Sequence, residues 1–106
     1  MGKASRDKGK RGEREVAKIL QEHGYEARRG QQFCGASGDA DVIGVPGLHI
    51  EVKRVEALEL YKALEQSQRD ARPGEVPTIW HRKNERPWVV ILTAEDFLKI
   101  WRGAND

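Results

Sequence analysis

Two stretches rich in β-forming residues, Asp41–Val45 and Leu48–Lys53, stand on either side of Pro46-Gly47. Proline followed by glycine between two such stretches is typical of the turn of a β-hairpin. The hairpin supplies two neighbouring strands of a sheet. The face to which each of their side chains points then depends on a single choice, the register of the pairing.

The other segments predict an α/β domain in which helices flank a mixed β-sheet. The expected order is helix, strand meander, helix, two strands, helix. The predicted helices are Glu13 to about His23, Ala57 to about Ala71, and Ala94 to Trp101 with Thr93 as N-cap. The predicted strands outside the hairpin are Tyr25–Arg29, Val76–His81 and Trp88–Leu92, and residues 30–38 form a glycine-rich loop.

The composition limits the chain to one compact domain. Its 106 residues leave little room for a second domain, and 38% hydrophobic residues suffice for a packed core. A single cysteine, Cys34, excludes an internal disulfide and a multi-cysteine zinc site. No apolar run is long enough to cross a bilayer, and the N-terminal residues carry no hydrophobic secretory signal, so we expect a cytoplasmic protein without a membrane partner.

Basic residues are concentrated near the N-terminus, although the net charge of the chain is only +2. Residues 1–12 contain five basic residues and one acidic residue, whereas residues 13–106 have a net charge of −2. We therefore predict a flexible basic arm over residues 1–12 and a single domain over residues 13–106. Such an arm either keeps the chain soluble or binds phosphates.

The strand over residues 48–53 has one apolar and one ionic face. Its even-numbered residues are apolar, whereas His49, Glu51 and Lys53 share the opposite face. We interpret His49 as a structural residue, because a lone histidine on a strand is more often structural than catalytic. Asp41, at the start of the preceding strand, supplies a second carboxylate that could meet Glu51.

Whether these two carboxylates meet depends on the hairpin register. A two-residue turn pairs Asp41 with Val52 and puts it on the wrong face. One extra residue pairs Gly44 with Leu48 and sets Asp41 opposite Glu51. We therefore predict an odd-numbered loop or a β-bulge, either of which brings the carboxylates together.

Two carboxylates at one place repel each other and require a cation, and their hard oxygen ligands suit Mg²⁺ or Mn²⁺. Such an ion lowers the pKa of a bound water and neutralises charge on a phosphodiester during hydrolysis. Lys53 could orient or deprotonate the water, or stabilise the charge of the transition state. The alternative is a plain surface ion pair between Glu51 and Lys53, which contributes little.

The residues around this pair resemble those of the PD-(D/E)XK nuclease superfamily, and within it small Holliday junction resolvases and phage-type resolvase-like endonucleases. The matching motifs are Gly12-Glu13-Arg14-Glu15, Gly38-Asp39-Ala40-Asp41-Val42 and Ile50-Glu51-Val52-Lys53. The resemblance spans about residues 8–101 and includes the element order, whereas a Glu-x-Lys tripeptide alone is not specific. Ala40 stands where the family usually has a proline.

The resemblance implies a restriction-endonuclease-like core, so that residues 13–106 form a single nuclease domain that cuts DNA with Mg²⁺, or with Mn²⁺ in its place. The implied catalytic residues are Glu13, Asp41, Glu51 and Lys53, and the implied metal ligands are Asp41, Glu51 and the backbone carbonyl of Val52. Family members often place a glutamine of the following helix near the site. Helical phase favours Gln68, which shares a face with Leu64 and Ala71, whereas motif spacing favours Gln66, and both remain open.

We expect phosphate contacts from basic residues of the arm, of the segment before the glycine-rich loop and of the turn between the last two strands, namely Lys8, Lys10, Arg11, Arg28, Arg29, Arg82 and Lys83. The turn over residues 82–86 is either a solvated tip or a phosphate contact. The tryptophans are expected in the core or in a dimer interface rather than stacked on bases.

The leading hypothesis is a homodimeric endonuclease that cuts branched DNA, such as a four-way junction, in the cytoplasm of a bacterial or phage-infected cell. One alternative is a nuclease of the same fold that acts on DNA ends, flaps or duplexes. A second is an inactive DNA-binding module, although clustered carboxylates would repel phosphates. A third is an interaction domain with accidental spacing, which requires that the predicted register be absent.

Overall fold

The computed structural model describes residues 2–30 and 40–105. In chain order its elements are α1 (Lys3–Glu22), β1 (Arg28–Arg29), β2 (Val42–Ile43), β3 (Leu48–Lys53), α2 (Leu60–Asp70), β4 (Val76–His81), β5 (Val89–Ile91) and α3 (Ala94–Asn105). The predicted glycine-rich loop, including Cys34, lies outside the described residues except for Gly30.

These strands form one mixed sheet in the order β1-β2-β3-β4-β5. β3 and β4 run parallel and are connected through α2, whereas the other neighbouring strands run antiparallel. Helix α1 packs against β1, β2 and β3, and α2 packs against β3 and β4. The predicted α/β class, with helices flanking a mixed sheet, is therefore confirmed, and the architecture is that of a restriction-endonuclease-like core.

β3 is buried on both faces. Ile50 and Val52 belong to the hydrophobic core that includes Val16 of α1. On the other face, His49 and Glu51 are only 3% and 6% exposed. This ionic face is therefore not the water-facing side of a sheet. Its burial excludes the alternative that Glu51 is part of an ordinary surface ion pair.

The hairpin between β2 and β3 has the predicted register. Val42 pairs with Ile50, which places Asp41 opposite Glu51. The interpretation as an interaction domain with accidental spacing needed this register to be absent, and it is therefore wrong.

The extra residue that this register needs is taken up as a bulge. The Leu48 amide donates to the Val45 carbonyl at 3.1 Å and closes a turn centred on Pro46-Gly47. An uninterrupted hairpin on this turn would pair Val42 with the residue after Ile50. Two residues of the first strand, including Gly44 at φ 104°, instead lie opposite one residue of β3.

Replacing Gly44 with alanine is expected to destabilise the fold by about 2–4 kcal/mol. A Cβ atom there would strike the backbone carbonyl of Glu26, in addition to the strain of the positive φ. Gly74→Ala is the matched control, because Gly74 has φ 87° but open space around it, and we expect a loss of about 1 kcal/mol. Urea unfolding measures both values, and equal losses would contradict the role of the bulge.

Helix α1 begins at Lys3 rather than at the predicted Glu13, so residues 3–12 of the predicted flexible arm are helical. The glycines in this segment disfavour a helix, but its lysine, arginine and alanine residues favour one. Tertiary contacts add to this preference. Lys8 Nζ lies 3.5 Å from Glu56 Oε2. Gly12 packs so closely on Arg54 that a Cβ atom added at position 12 would lie 2.8 Å from the Cβ atom of Arg54. The division into an arm and a domain stays a prediction.

Helix α2 does not bury the face with Leu64 and Gln68 that helical phase predicted. Its buried residues are Ala63 and Ser67, whereas Tyr61 is 78% exposed. Small residues let the helix approach the sheet closely, and the Ser67 hydroxyl donates to the Thr78 carbonyl at 3.3 Å. The hydrophobic pattern was misleading because the contact surface consists of small side chains.

The C-terminal part of the chain agrees with the prediction except for the element ends. β4 has the predicted bounds, β5 is shorter, and α3 continues beyond Trp101. Thr93 caps α3, since its hydroxyl accepts the Asp96 amide at 3.1 Å. No helix within residues 2–30 and 40–105 is long and apolar enough to span a membrane.

Candidate active site

Asp41 lies immediately before β2, and its side chain binds the backbone of β3. Its Oδ2 atom accepts the Val52 amide at 2.8 Å, and its own amide donates to the Ile50 carbonyl at 3.0 Å. In a strand, the N–H and C=O groups of one residue point towards the same neighbouring strand. The Val52 carbonyl is therefore directed to the side of β3 on which Asp41 lies.

Glu51 contacts His49 on the same face of β3. The distance from His49 Nε2 to Glu51 Oε1 is 2.8 Å, and both side chains are buried. On the other side of the imidazole, Nδ1 lies 3.7 Å from Glu75 Oε1. His49 was predicted to be structural, and nothing in its sequence neighbourhood indicated a contact with Glu51 beyond the shared strand face.

Asp41 and Glu51 form one electrostatic unit. Burial, followed by the neighbouring charge of Glu51, raises the pKa of Asp41 to about 7. Burial also opposes ionisation of Glu51, but hydrogen bonds from His49 and Asp41 outweigh it, and the pKa of Glu51 lies below its ordinary value. Two buried carboxylates repel each other when both are ionised, and a proton or a cation relieves this repulsion.

Lys53 follows on the same strand face and reaches helix α2. Its Nζ atom donates to Gln66 Oε1 at 3.1 Å. Gln68 is exposed on another side of the helix. The structure therefore places Gln66 beside Lys53, as motif spacing predicted, whereas helical phase had favoured Gln68. A part for Gln66 in catalysis stays a prediction.

Glu13 lies in α1, and its charge contributes to the raised pKa of Asp41. Its Oε1 atom accepts a hydrogen bond from Arg29 Nε at 2.9 Å. Arg29 was predicted to contact DNA, which stays a prediction, and in the structure it joins β1 to Glu13. The helix and the hairpin thus place a third acidic side chain near the pair.

The other basic residues predicted to bind DNA fall into two groups. Lys10, Arg11, Arg28 and Lys83 are exposed. Lys8 pairs with Glu56, and Arg82 donates to Glu15 Oε1 at 2.6 Å and to the Arg86 carbonyl at 2.7 Å. Trp88 donates to the same Glu15 oxygen at 3.0 Å, so these contacts fix the turn after β4 against α1.

The donor set around Asp41 fits a hard divalent cation. Carboxylate oxygens of Asp41 and Glu51 and a directed backbone carbonyl are the ligand types that Mg²⁺ takes in proteins. Within the two described ranges, no three His, Cys, Asp or Glu side chains form a complete metal cage. Mg²⁺ does not need such a cage, because it usually binds one or two carboxylates and completes its shell with water and substrate phosphate.

Comparison with known families decides how this site is classified. The family model of the archaeal Holliday junction resolvase (Hjc) matches residues 4–99, about nine tenths of the chain. The chain belongs to this resolvase family. No curated protein and no solved structure gives a match.

Membership of the resolvase family confirms the resemblance to PD-(D/E)XK nucleases and implies a nuclease that acts on DNA in recombination. The matched region includes every described residue of the site, from Glu13 to Gln66. The expectation of a bacterial or phage-infected cell receives no support, since the family is described as archaeal.

The raised pKa of Asp41 predicts that stability in EDTA falls as the pH rises. Between pH 3.8 and about 7, Asp41 keeps its proton in the folded chain but has lost it in the unfolded chain. The stabilisation that comes from this difference is complete below pH 3.8 and is lost as the pH rises to about 7. His49, whose pKa is also raised, changes stability in the same direction above pH 6.5. The lowered pKa of Glu51 makes stability rise with pH, but this effect is confined to pH values below about 4.5.

Thermal melting in EDTA is therefore expected at a lower temperature at pH 8 than at pH 5. Mg²⁺ competes with the shared proton, so it should raise the melting temperature more at pH 8 than at pH 6. A melting temperature in EDTA that increases between pH 5 and pH 8 would contradict the assigned direction of the Asp41 pKa.

Proposed function

We propose that the protein is a metal-dependent endonuclease that hydrolyses phosphodiester bonds in branched DNA, with a four-way junction as its substrate. The observation that carries this proposal is the buried pair of Asp41 and Glu51 beside Lys53, within a chain of the resolvase family. A chain that only bound DNA would gain nothing from carboxylates placed where phosphates approach.

Asp41, Glu51 and the Val52 carbonyl are the groups that would hold Mg²⁺. When bound, this ion supplies charge neutralisation at the phosphate and a water of lowered pKa. Lys53 has three ammonium donors, of which Gln66 takes one, leaving two for the attacking water and a phosphate oxygen. Water attacks phosphorus and releases a proton to solvent, the bond to the leaving oxygen breaks and that oxygen takes up a proton from solvent, and the ammonium group offsets the developing negative charge.

The exposed basic side chains Lys10, Arg11, Arg28 and Lys83 are proposed to bind DNA phosphates. Arg29 and Arg82 stay predicted DNA contacts, and each is also engaged by a carboxylate. Their ion pairs hold α1 against β1 and against the turn after β4. Contacts to phosphates give affinity without reading the base sequence, as selection by DNA shape requires. We place this activity in the cytoplasm.

We further propose a homodimer formed through helix α3. Phe97, Leu98 and Trp101 are about half exposed, and the rings of Phe97 and Trp101 stack with centroids 6.1 Å apart. The first turn of α3 is acidic and its last turn contains Arg102. Two copies of α3 packed antiparallel about a two-fold axis would cover the apolar side chains and bring acidic turns against basic ones.

Replacing Trp101 with glutamate is expected to convert a dimer into a monomer, because two carboxylates would enter the same apolar contact. Tyr61→Glu is the matched control, since Tyr61 is an exposed aromatic residue on α2. Light scattering after gel filtration gives the masses. A monomeric wild type at micromolar concentration, or dissociation by Tyr61→Glu and not by Trp101→Glu, would contradict this interface.

The substrate is tested by cleavage of a labelled four-way junction, a flap and a linear duplex of the same arm sequence in MgCl₂. The proposal predicts paired nicks in opposite strands of the junction and little cutting of the duplex. Equal cutting of all three substrates would instead support a general nuclease of the same fold. Binding of the junction without cutting in Mg²⁺ or Mn²⁺ would support an inactive DNA-binding module.

A further inference from the structure

The backbone and the side chain of His49 are each held by a separate contact. The residue is 3% exposed, and its carbonyl accepts the Thr78 hydroxyl of β4 at 2.7 Å. The Thr78 hydroxyl in turn accepts Trp80 Nε1 at 3.1 Å. These bonds anchor the start of β3 to β4, so the imidazole projects from a fixed point of the backbone.

The imidazole ring lies between two carboxylates at unequal distances. Its Nε2 atom is 2.8 Å from Glu51 Oε1, which is a hydrogen bond, whereas Nδ1 is 3.7 Å from Glu75 Oε1, which is too long for one. A carboxylate can only accept, so His49 Nε2 must be the donor to Glu51.

We propose that His49 is a positioning residue for the metal ligand Glu51, an inference that rests on the proposed metal-dependent function. A glutamate side chain has three rotatable bonds, and the hydrogen bond from Nε2 fixes its carboxylate relative to β3. Asp41 is fixed in a corresponding way by the Val52 amide. Each carboxylate of the pair is thus held by a donor from outside the pair, and the pair is arranged before a cation binds.

Two variants of equal side-chain length separate the hydrogen bond from the volume of the side chain. His49→Gln keeps an N–H donor within reach of Glu51, whereas His49→Met fills the same space without a donor. His49→Asn, whose amide is too short to reach Glu51, replaces the methionine variant if that variant does not fold. Circular dichroism and binding of the four-way junction in EDTA serve as controls for the fold and for DNA affinity.

The deciding measurement is the dissociation constant of Mn²⁺, from the electron paramagnetic resonance signal of the free ion. We expect His49→Met to weaken binding by about 10–100-fold and His49→Gln to stay within about threefold of the wild type. The Mg²⁺ concentration that half-saturates junction cleavage should shift in parallel, with a smaller change in the rate at saturating Mg²⁺.

The other outcomes are distinct. Equal Mn²⁺ affinity in wild type and both variants would overturn the positioning role and leave the proposed function intact. A glutamine variant as weak as the methionine variant would overturn it as well, because the hydrogen bond would then not be the cause. A wild type that binds no Mn²⁺ would overturn both this inference and the proposed metal dependence.

Discussion

Asp41→Asn is expected to reduce junction cleavage in MgCl₂ by about 10³-fold or more while leaving DNA binding in EDTA intact. The amide keeps the shape of the side chain and an oxygen that can accept the Val52 amide. It removes one of the two charges that attract the cation. Bound metal supplies several kcal/mol of transition-state stabilisation, and each 1.36 kcal/mol corresponds to a factor of ten in rate.

The matched control for this variant is Glu65→Gln on the exposed side of α2. It removes the same charge outside the carboxylate pair, and we expect wild-type cleavage. Asp41→Asn should also melt at a higher temperature than the wild type in EDTA at pH 8, because it removes the repulsion with Glu51. Substantial cleavage by Asp41→Asn in MgCl₂ would exclude Asp41 as a metal ligand.

Lys53→Met is expected to lower the cleavage rate at saturating Mg²⁺ by about 10²-fold or more. This is the size of effect expected when a group that orients the attacking water or stabilises the developing charge is lost. Methionine retains most of the apolar stem of lysine but has no donor for Gln66, water or phosphate. Mn²⁺ binding should change little, since Lys53 is not a ligand. The two catalytic variants therefore separate metal binding from the chemical step.

Lys62→Met is the control for charge, because Lys62 is exposed on α2 and pairs with Glu59. We expect it to cleave at the wild-type rate. A Lys53→Met variant whose loss of cleavage is recovered fully by raising the Mg²⁺ concentration would contradict a part in the chemical step. In that case Lys53 would act on cation affinity alone.

The carboxylate pair was predictable because strand geometry has a period of two. Asp41 and Glu51 are ten residues apart, and only a hairpin register that pairs them directly across the two strands puts both on one face. The turn chemistry of Pro46-Gly47 then left a loop or a bulge as the ways to reach that register. Gly44, with its positive φ, is where the chain places the bulge.

The helices were less predictable, because tertiary contacts outweigh local pattern. Gly9 and Gly12 argue against a helix before Glu13, yet Gly12 is buried in α1, where it allows close contact with Arg54. In α2 the larger apolar residues suggested the buried face, whereas the sheet accepts only the small side chains Ala63 and Ser67. A pattern of apolar residues does not reveal how much space the neighbouring element leaves.

The polar contacts around the carboxylates were the least accessible to sequence reasoning. His49, Glu75 and Thr78 meet because β3 and β4 run parallel in one register, which is not visible in either strand alone. Arg29 and Glu13 are likewise 16 residues apart and meet through the packing of α1 on β1. Such contacts depend on the tertiary arrangement, so they follow only once the fold is known.

The measurement that tests the central claim most directly is single-turnover cleavage of a labelled four-way junction by the wild-type protein, in MgCl₂ and in EDTA. The proposed metal-dependent nuclease predicts nicks near the branch point in MgCl₂ and none in EDTA, with cleavage restored when Mg²⁺ is added back. Cleavage at the same rate in EDTA, or no cleavage with Mg²⁺ or Mn²⁺ despite bound junction, would contradict it.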